Sequence, residues 1–334
     1  MSLTITNLTK TYGAGVNAGA RPALDRVSLA LQPAIYGLFG RNGAGKSTLM
    51  SLIANRLLPT SGTVMLDGTN VRDNEAAQGR IYLANETRPF LWPVRLGTIF
   101  RREERYYGGF DHGFAARMLA AFGVEPGKAY GNLSLGQRHI VQLVAALCVP
   151  VDVLLLDEPV LGLDAANREL FYRFLLETYA SRPHVIVVST HLIDEIAHVI
   201  ERAIILDHGC VADEFAAESV GSRATVLVGD SNAVGDFVDE AGLSVLARES
   251  MGKLSGVTVR GAIAADDLPE GIVASGLGLQ DYVIRSTGGA ADGAGETESA
   301  SSSRGAANGT ANKTTNATAR DAACDAAAAT DEKE

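Results

Sequence analysis

Apolar residues in the first two-thirds of the chain fall into short continuous runs separated by longer stretches of helical period. Three runs are clearest: Ala34 to Phe39, Val151 to Leu156 and Val185 to Val188. Each has the compact, mainly apolar pattern of a buried strand, and each gives way at once to polar residues. The opening stretch, Leu3 to Lys10, alternates instead, as a half-buried strand does. Thr48 to Asn55 has a helical pattern, and Ile140, Leu143, Val144 and Leu147 share one face of a second helix. From Ser2 to about Glu214 this alternation predicts an α/β domain built on a central, mainly parallel sheet. Ligands of such sheets collect beyond the carboxyl ends of the strands, so the three runs point to one site.

Beyond that domain, residues 224–228, 244–250 and 257–260 read as short strands, with a helix over Asn232 to Glu240. They predict a small α+β appendage over 215–287, after a first domain of 1–214. Gly13 to Ala20 reads as a Gly/Ala-rich surface insertion in what is otherwise a hairpin. From Gly288 to Glu334 the chain is Ala, Gly, Ser, Thr and Asp with almost no large apolar side chains. Burial there cannot offset the entropy of ordering, so a disordered tail is expected. The Asn-x-Thr triplets at Asn308, Asn312 and Asn316 arise from that composition and carry no weight in a cytosolic chain. No internal repeat is evident.

Composition narrows the classes. With 46% hydrophobic and 20% charged residues in 334, the chain can bury one sizeable core and a smaller second one. A formal charge of -10 argues against broad nucleic-acid binding, which needs a basic surface to displace phosphate counterions. Cys148, Cys210 and Cys324 are far apart and lack metal-ligand spacing, which fits a reducing compartment rather than a disulfide framework. The amino terminus lacks a secretory pattern, and the longest spanning candidate, Leu143 to Leu156, is broken by Pro150 and Asp152. A membrane role would therefore be borrowed from a partner.

The chemistry lies where the runs end. Gly40-Arg-Asn-Gly-Ala-Gly-Lys-Ser-Thr48 comes after the first run and opens a helix, the setting a phosphate-binding loop requires. Glycines at 40, 43 and 45 let backbone N–H groups turn inward around the β- and γ-phosphates, with Asn42 and Thr48 in the same loop. Lys46 adds a point charge, the Ser47 hydroxyl can ligate Mg²⁺, and the helix N-terminus adds its dipole. A Gly-rich turn with an exposed lysine is the competing reading, which the complete motif in its strand-loop-helix setting disfavours. The second run ends in Asp157-Glu158. Side chains alternate there, so Asp157 can hold Mg²⁺ through its water shell while Glu158 faces the γ-phosphate and orients or deprotonates the attacking water. Adjacent acids at a strand end are often only solvated; the phosphate loop beside them favours function. His191 closes the third run, placed to bond the γ-phosphate or position that water. His139 and His198 lie in helical patterns and are read as structural. Leu133-Ser-Leu-Gly-Gln137 precedes the second helix and puts Ser134 and Gly136 at its N-terminus, a further anion-binding end or an ordinary serine cap.

In order and spacing, Tyr12, the Gly40 to Thr48 loop, Leu133 to Gln137, Leu156-Asp-Glu-Pro159, Gly162-Leu-Asp164 and His191 resemble the ATP-binding cassette family over roughly the first two-thirds of the chain. The resemblance implies a P-loop NTPase fold with a helical subdomain at about 89–140, and ATP and Mg²⁺ as ligands. It implies that Tyr12 stacks on adenine and that Asp164 lies in a loop communicating across a dimer. Family members work as head-to-tail dimers, homo- or heteromeric. Ser134, Gly136 and Gln137 of one copy would then cap the ATP held by Lys46 of the other, giving the second anion-binding end its use. A separate membrane-spanning permease subunit is the implied partner, with the chain held at the cytoplasmic face of the membrane through it. The run from Leu133 to Gly209 looks most like bacterial cassettes encoded beside a small transcription regulator, which suggests export of peptide-like or envelope-active compounds.

Two positions depart from the family pattern. Asn85, with Glu86 beside it, stands where a Mg²⁺-ligating glutamine is usual; it keeps the amide but is one methylene shorter. Leu135 stands where glycine is commonest. Phe90, Leu91, Trp92 and Phe100, in the stretch 89–131 expected to meet the permease, are candidates for a docking groove or equally for core. Arg101, Arg102 and Arg105 alternate with Glu103 and Glu104 as a solvated helix face does. A non-transport cassette acting on ribosomes or DNA is the alternative, weakened by the single cassette and the acidic balance. A binding module without turnover would need Lys46 or Glu158 to be missing, and both are present.

Overall fold

The computed structural model describes residues 1–13, 21–85, 94–264 and 267–287. Most of the insertion at 13–20, Glu86, Phe90, Leu91, Trp92 and the tail from 288 lie outside the described residues. The chain divides into two compact units, Met1–Val220 and Gly221 onward.

The first unit opens with β1 (Leu3–Lys10), β2 (Leu24–Leu31) and β3 (Ala34–Phe39), then α1 (Lys46–Ile53), β4 (Ser61–Leu66), β5 (Thr69–Asn70), α2 (Glu75–Gln78) and β6 (Ile81–Ala84). Helices α3 (Leu96–Tyr107), α4 (His112–Ala121) and α5 (Leu135–Cys148) come next. The unit ends with β7 (Val153–Asp157), α6 (Ala165–Ser181), β8 (Val185–Ser189), α7 (Ile193–Ile196), β9 (Arg202–Asp207) and β10 (Cys210–Ala216).

Two sheets result. The six-stranded one runs β10-β9-β3-β8-β7-β6 and is parallel throughout except for β10, which hairpins back on β9. Its central strands β3 and β8 are buried at every position and β7 at all but its last, which is why their sequences read as continuous apolar runs. The four-stranded sheet, β2-β1-β4-β5, is antiparallel. Strands β1 and β2 bury alternate residues, the signature of a sheet covered on one face. Leu3, Ile5, Leu29 and Leu31 from this sheet share one core with Leu38, Leu155 and Ile204 from the other and with Leu49 and Leu52 of α1.

Between β6 and β7 the described chain is helical, with α4 packed against α5. Phe114 of α4 and Phe122 just after it both meet the Phe174 ring of α6. Phe100 is buried and stacked on Phe110, with ring centroids 4.9 Å apart. It is therefore core, and the docking-groove reading does not hold for it. Glu103 is also buried, so the solvated face of α3 consists of Arg101, Arg102 and Arg105 without it. The reason is register: Ile99, Phe100, Glu103 and Tyr107 fall on the same side of the helix.

The second unit holds β11 (Ala224–Asp230), α8 (Ser231–Glu240), β12 (Val245–Met251), β13 (Leu254–Arg260), β14 (Val273–Gly276) and α9 (Leu279–Thr287). The strands form one antiparallel sheet, β12-β13-β11-β14. Leu227, Val257 and Val259 pack with Val234 and Val238 of α8 into a core of the unit's own.

Candidate functional site

Strand β8 lies between β3 and β7, and all three point the same way. Leu38 pairs with Ser189, and Ser189 pairs with Asp157, so their carboxyl ends stop at one level. The loop from Gly40, the pair Asp157-Glu158 and His191 stand at or just past these strand ends and are thus gathered along one edge of the sheet. Strand β6 adds a fourth group: Ala84 pairs with Leu156, so Asn85 and Asp157 stand next to each other at that edge.

The loop from Gly40 to Gly45 holds its shape because its glycines take conformations that side chains cannot. Gly40 has φ of 144° and Gly45 of 105°. A Cβ on Gly40 would sit 2.2 Å from the Leu206 carbonyl oxygen, and one on Gly45 2.6 Å from that of Ala23. The loop is also tied down by N–H donation from Gly209 to the Ala44 carbonyl (3.1 Å). Helix α1 begins at Lys46 with no side-chain cap, so its first-turn N–H groups face the loop rather than a capping oxygen. Lys46 folds over the loop, its Nζ donating to the carbonyls of Gly40 (2.7 Å) and Arg41 (3.2 Å). Burial holds its ammonium below the ordinary lysine range, and the Glu158 and Asp157 carboxylates counteract part of that. Ser47 is exposed beside it, and the Tyr12 hydroxyl meets Thr48 Oγ1 at 3.3 Å, with Lys10 Nζ 5.3 Å from the Tyr12 ring centroid. Tyr12 therefore presents a half-exposed aromatic face (52%) next to the loop, able to accept a flat ring.

Glu158 is the most constrained residue of the site. Its φ is 50°, a left-handed conformation that costs a non-glycine residue roughly 1–2 kcal/mol. Its N–H donates to the Ser189 carbonyl at 2.8 Å, fixing the end of β7 to the end of β8. Its carboxylate Oε2 lies 2.9 Å from His191 Nδ1. A carboxylate only accepts, so the imidazole carries its proton on Nδ1. The hydrogen-bonded pair stays open to solvent on the histidine side.

The remaining predicted groups stand at helix starts. Ser134 caps α5 in a reciprocal capping box: its Oγ accepts from the Gln137 N–H (3.2 Å), and Gln137 Oε1 accepts from the Ser134 N–H (3.3 Å). Leu135 beside it is 80% exposed, and Gly136 has open space where a Cβ would be. Among the described residues, no hydrogen bond joins Ser134, Gly136 or Gln137 to the loop around Lys46. Asp164 caps α6, accepting from the Asn167 N–H (2.9 Å) and Nδ2 (3.0 Å).

The oxygen donors at the sheet edge, Ser47, Asp157 and the Asn85 amide, suit a hard cation such as Mg²⁺, which takes one or two carboxylates and completes its shell with water and phosphate. No three His, Cys, Asp or Glu side chains among the described residues form a cage of their own.

Two further residues bind this edge together. His139 of α5 sets its Nε2 2.6 Å from the Pro159 carbonyl oxygen, one residue past Glu158. Arg168 of α6 donates Nη1 to the Leu163 carbonyl (3.0 Å), and its Nε lies 2.8 Å from Glu195 Oε2 of α7 in an ion pair. Sequence reasoning gave His139 a structural role and did not single out Arg168. The His139–Pro159 bond and the Arg168–Glu195 pair join residues far apart in sequence, for which no local pattern exists.

A sequence profile of the family described as ABC transporter matches residues 24–161. The chain is 28% identical over 180 residues to the ABC transporter ATP-binding protein YtrB of Bacillus subtilis (strain 168), covering 54% of this chain and 62% of that protein. It is 33% identical over 216 residues to the biotin transport ATP-binding protein BioM of Rhizobium etli (strain ATCC 51251 / DSM 11541 / JCM 21823 / NBRC 15573 / CFN 42), covering 62% and 93%. A solved structure of a bacterial ABC transporter cassette, the dimeric MJ0796, superposes with a TM-score of 0.55 at 25% identity, over 64% of this chain and 98% of that one. The region matched by the profile contains the phosphate loop, Ser134 to Gln137 and Asp157-Glu158. The chain belongs to the ATP-binding cassette (ABC) transporter family.

Proposed function

We propose that the chain binds and hydrolyses ATP as one half of a head-to-tail dimer and drives a membrane permease carried on a separate polypeptide. The observation that supports this most is the gathering of Lys46, Asp157, Glu158 and His191 at the ends of adjacent parallel strands, with Glu158 held in a left-handed conformation and bonded to His191. In this reading Tyr12 stacks on the adenine, and Gly40, Asn42, Gly43, Gly45 and Thr48 shape the phosphate cradle with Lys46. Ser47, Asp157 and Asn85 hold Mg²⁺, which when bound neutralises phosphate charge. The Lys46 ammonium leaves its two carbonyl partners for phosphate oxygens, a gain because charge-assisted bonds are the stronger kind. Glu158 orients the attacking water and takes its proton, while the His191 Nδ1–H, which holds Glu158 before ATP binds, turns to donate to the γ-phosphate.

The exposed start of α5 completes the proposal. Ser134 and Gln137 satisfy each other within the capping box, yet the helix N-terminus, with Leu135 exposed beside Gly136, faces solvent. A second copy's ATP is the ligand that suits it, and Asp164 stands at the start of α6 to report across that dimer. No helix among the described residues is long and apolar enough to cross a membrane, so the transport path is assigned to a partner and the chain to the cytoplasmic face. Export is the direction proposed, on the likeness of the run Leu133 to Gly209 to regulator-linked bacterial cassettes.

The test is Glu158→Gln, which keeps size and hydrogen bonding but removes the base. ATP affinity is expected to stay within two-fold, turnover to fall about 10²–10⁴-fold, and an ATP-dependent dimer to accumulate in light scattering. Turnover at the wild-type rate would overturn the role of Glu158. Failure of the wild type to associate with its permease in membranes would overturn the transport reading.

A further inference from the structure

We infer that His139 is a positioning residue that locks the Glu158 loop to helix α5 and so ties the residue that activates water for one ATP to the helix whose start faces the other. The inference rests on the proposed ATPase function and adds a residue to it.

Four observations converge. First, His139 Nε2 lies 2.6 Å from the Pro159 carbonyl oxygen. A carbonyl only accepts, so Nε2 carries the proton and donates. Second, Pro159 is buried, and a buried carbonyl left without a donor is costly, so this contact is one the fold is under pressure to keep. Third, Pro159 comes directly after Glu158, whose φ of 50° is an unfavourable conformation that persists only when its surroundings over-determine it. Two bonds flank that residue: Glu158 N–H to the Ser189 carbonyl on one side and His139 to the Pro159 carbonyl on the other. Proline has no N–H of its own with which to anchor this position, so an outside donor to its carbonyl takes that part. Fourth, His139 stands on α5 five residues after Ser134, within the same rigid helix. A shift of that helix when Ser134 meets a nucleotide is carried to Pro159 through one short hydrogen bond, and from there to the Glu158 carboxylate.

The contact makes a specific demand on chemistry. A donor is needed at the position of Nε2. Glutamine places its amide nitrogen near that point, asparagine places one nearer to Nδ1, and phenylalanine fills the ring's volume with no donor at all.

ATP turnover, ATP affinity and thermal midpoint are to be measured for the full chain and for His139→Gln, His139→Asn and His139→Phe. The glutamine variant is expected to keep kcat within about two-fold of wild type. The asparagine and phenylalanine variants are expected to lose roughly ten-fold or more in kcat with KM for ATP changed less than two-fold, because the nucleotide-holding residues are untouched. In a Glu158→Gln background, where no base remains to be positioned, the same substitutions are expected to change residual turnover less than two-fold. Equal kcat in all variants, or equal losses in glutamine and phenylalanine, overturns the inference. If the wild type itself shows no turnover, the ATPase reading fails first. Should the phenylalanine variant not fold, the glutamine-asparagine comparison decides the matter alone.

Discussion

At the scale of single residues, the site depends on backbone conformations that most side chains avoid. Gly43 and Gly45 both have positive φ, 84° and 105°, but they differ in their surroundings. A Cβ on Gly43 would meet open space, whereas one on Gly45 would press to 2.6 Å against the Ala23 carbonyl and a Leu24 methyl. Gly43→Ala should therefore cost only the backbone penalty, about 1–2 kcal/mol. Gly45→Ala adds a steric clash with backbone, worth a further 1–3 kcal/mol or so. Urea unfolding of the two variants is the check, and equal midpoints would show that the loop relaxes around Gly45. Glu158 shares this feature of positive φ without being glycine. Sequence reasoning reached its carboxylate but not its backbone, because the carboxylate is read from its position after a buried run while φ is imposed by the bonds to either side.

At the scale of elements, α5 combines a local role with a proposed distant one, and the two can be separated. If Ser134 is only a cap, any good capping residue will replace it. Ser134→Ala should cost about 1 kcal/mol, while Ser134→Asp should hold the thermal midpoint near wild type. If Ser134 also faces a second copy's γ-phosphate, the aspartate puts a carboxylate against a phosphate, and turnover should fall ten-fold or more with stability unchanged. Wild-type turnover in the aspartate variant would leave Ser134 as a cap alone. Strands and helices themselves were legible to different degrees. The strands β3, β7 and β8 were readable because burial on both faces leaves an unbroken apolar run, and β11, β12, β13 and α8 because alternation and helical period survive there. Strand β14 was not: Val-Ala-Ser-Gly is short, small and mostly exposed, and it exists by pairing with β11. Helix α9 was missed next to it, between glycines at 276 and 278 and the compositional break at 288. Of the two readings left open for Phe100 the structure takes core, whereas Glu103 was placed on a solvated face it does not share: α3 buries a side that includes a carboxylate, and residue type alone gives no hint of that.

At the scale of the whole molecule, charge and burial act in opposite directions as pH falls, which makes a buried histidine visible. The chain carries a formal charge of -10 and a sequence pI near 5.2. Acidification from pH 7.5 to 5.5 therefore lowers net charge and relieves self-repulsion, a change that favours the compact state. His184 works the other way. It is 2% exposed, just before β8, with Nδ1 2.6 Å from the Arg182 carbonyl. Burial pushes its pKa below the ordinary value of 6.5; the bond to the Arg182 carbonyl opposes this, the nearby Arg182 charge reinforces it and Asp152 offsets a little. The folded state thus takes up this proton at lower pH than the unfolded state does. Above pH 6.5 both states hold a neutral imidazole and nothing changes. As pH falls below 6.5 the unfolded chain binds the proton first, and stability drops by at most about 1.4 kcal/mol per pH unit until the folded form titrates too. Histidines equally exposed in both states cancel. His184→Asn keeps an N–H donor near the Nδ1 position but cannot titrate. Its stability at pH 7.5 should be slightly lower, from lost packing, while its loss between pH 7.5 and 5.5 should be smaller than the wild type's, by at most about 1.4 kcal/mol. Urea midpoints at the two pH values measure this directly. Parallel losses in wild type and variant would mean that another group governs the acid limb, and a gain in both would mean that relief of charge repulsion outweighs every buried titration.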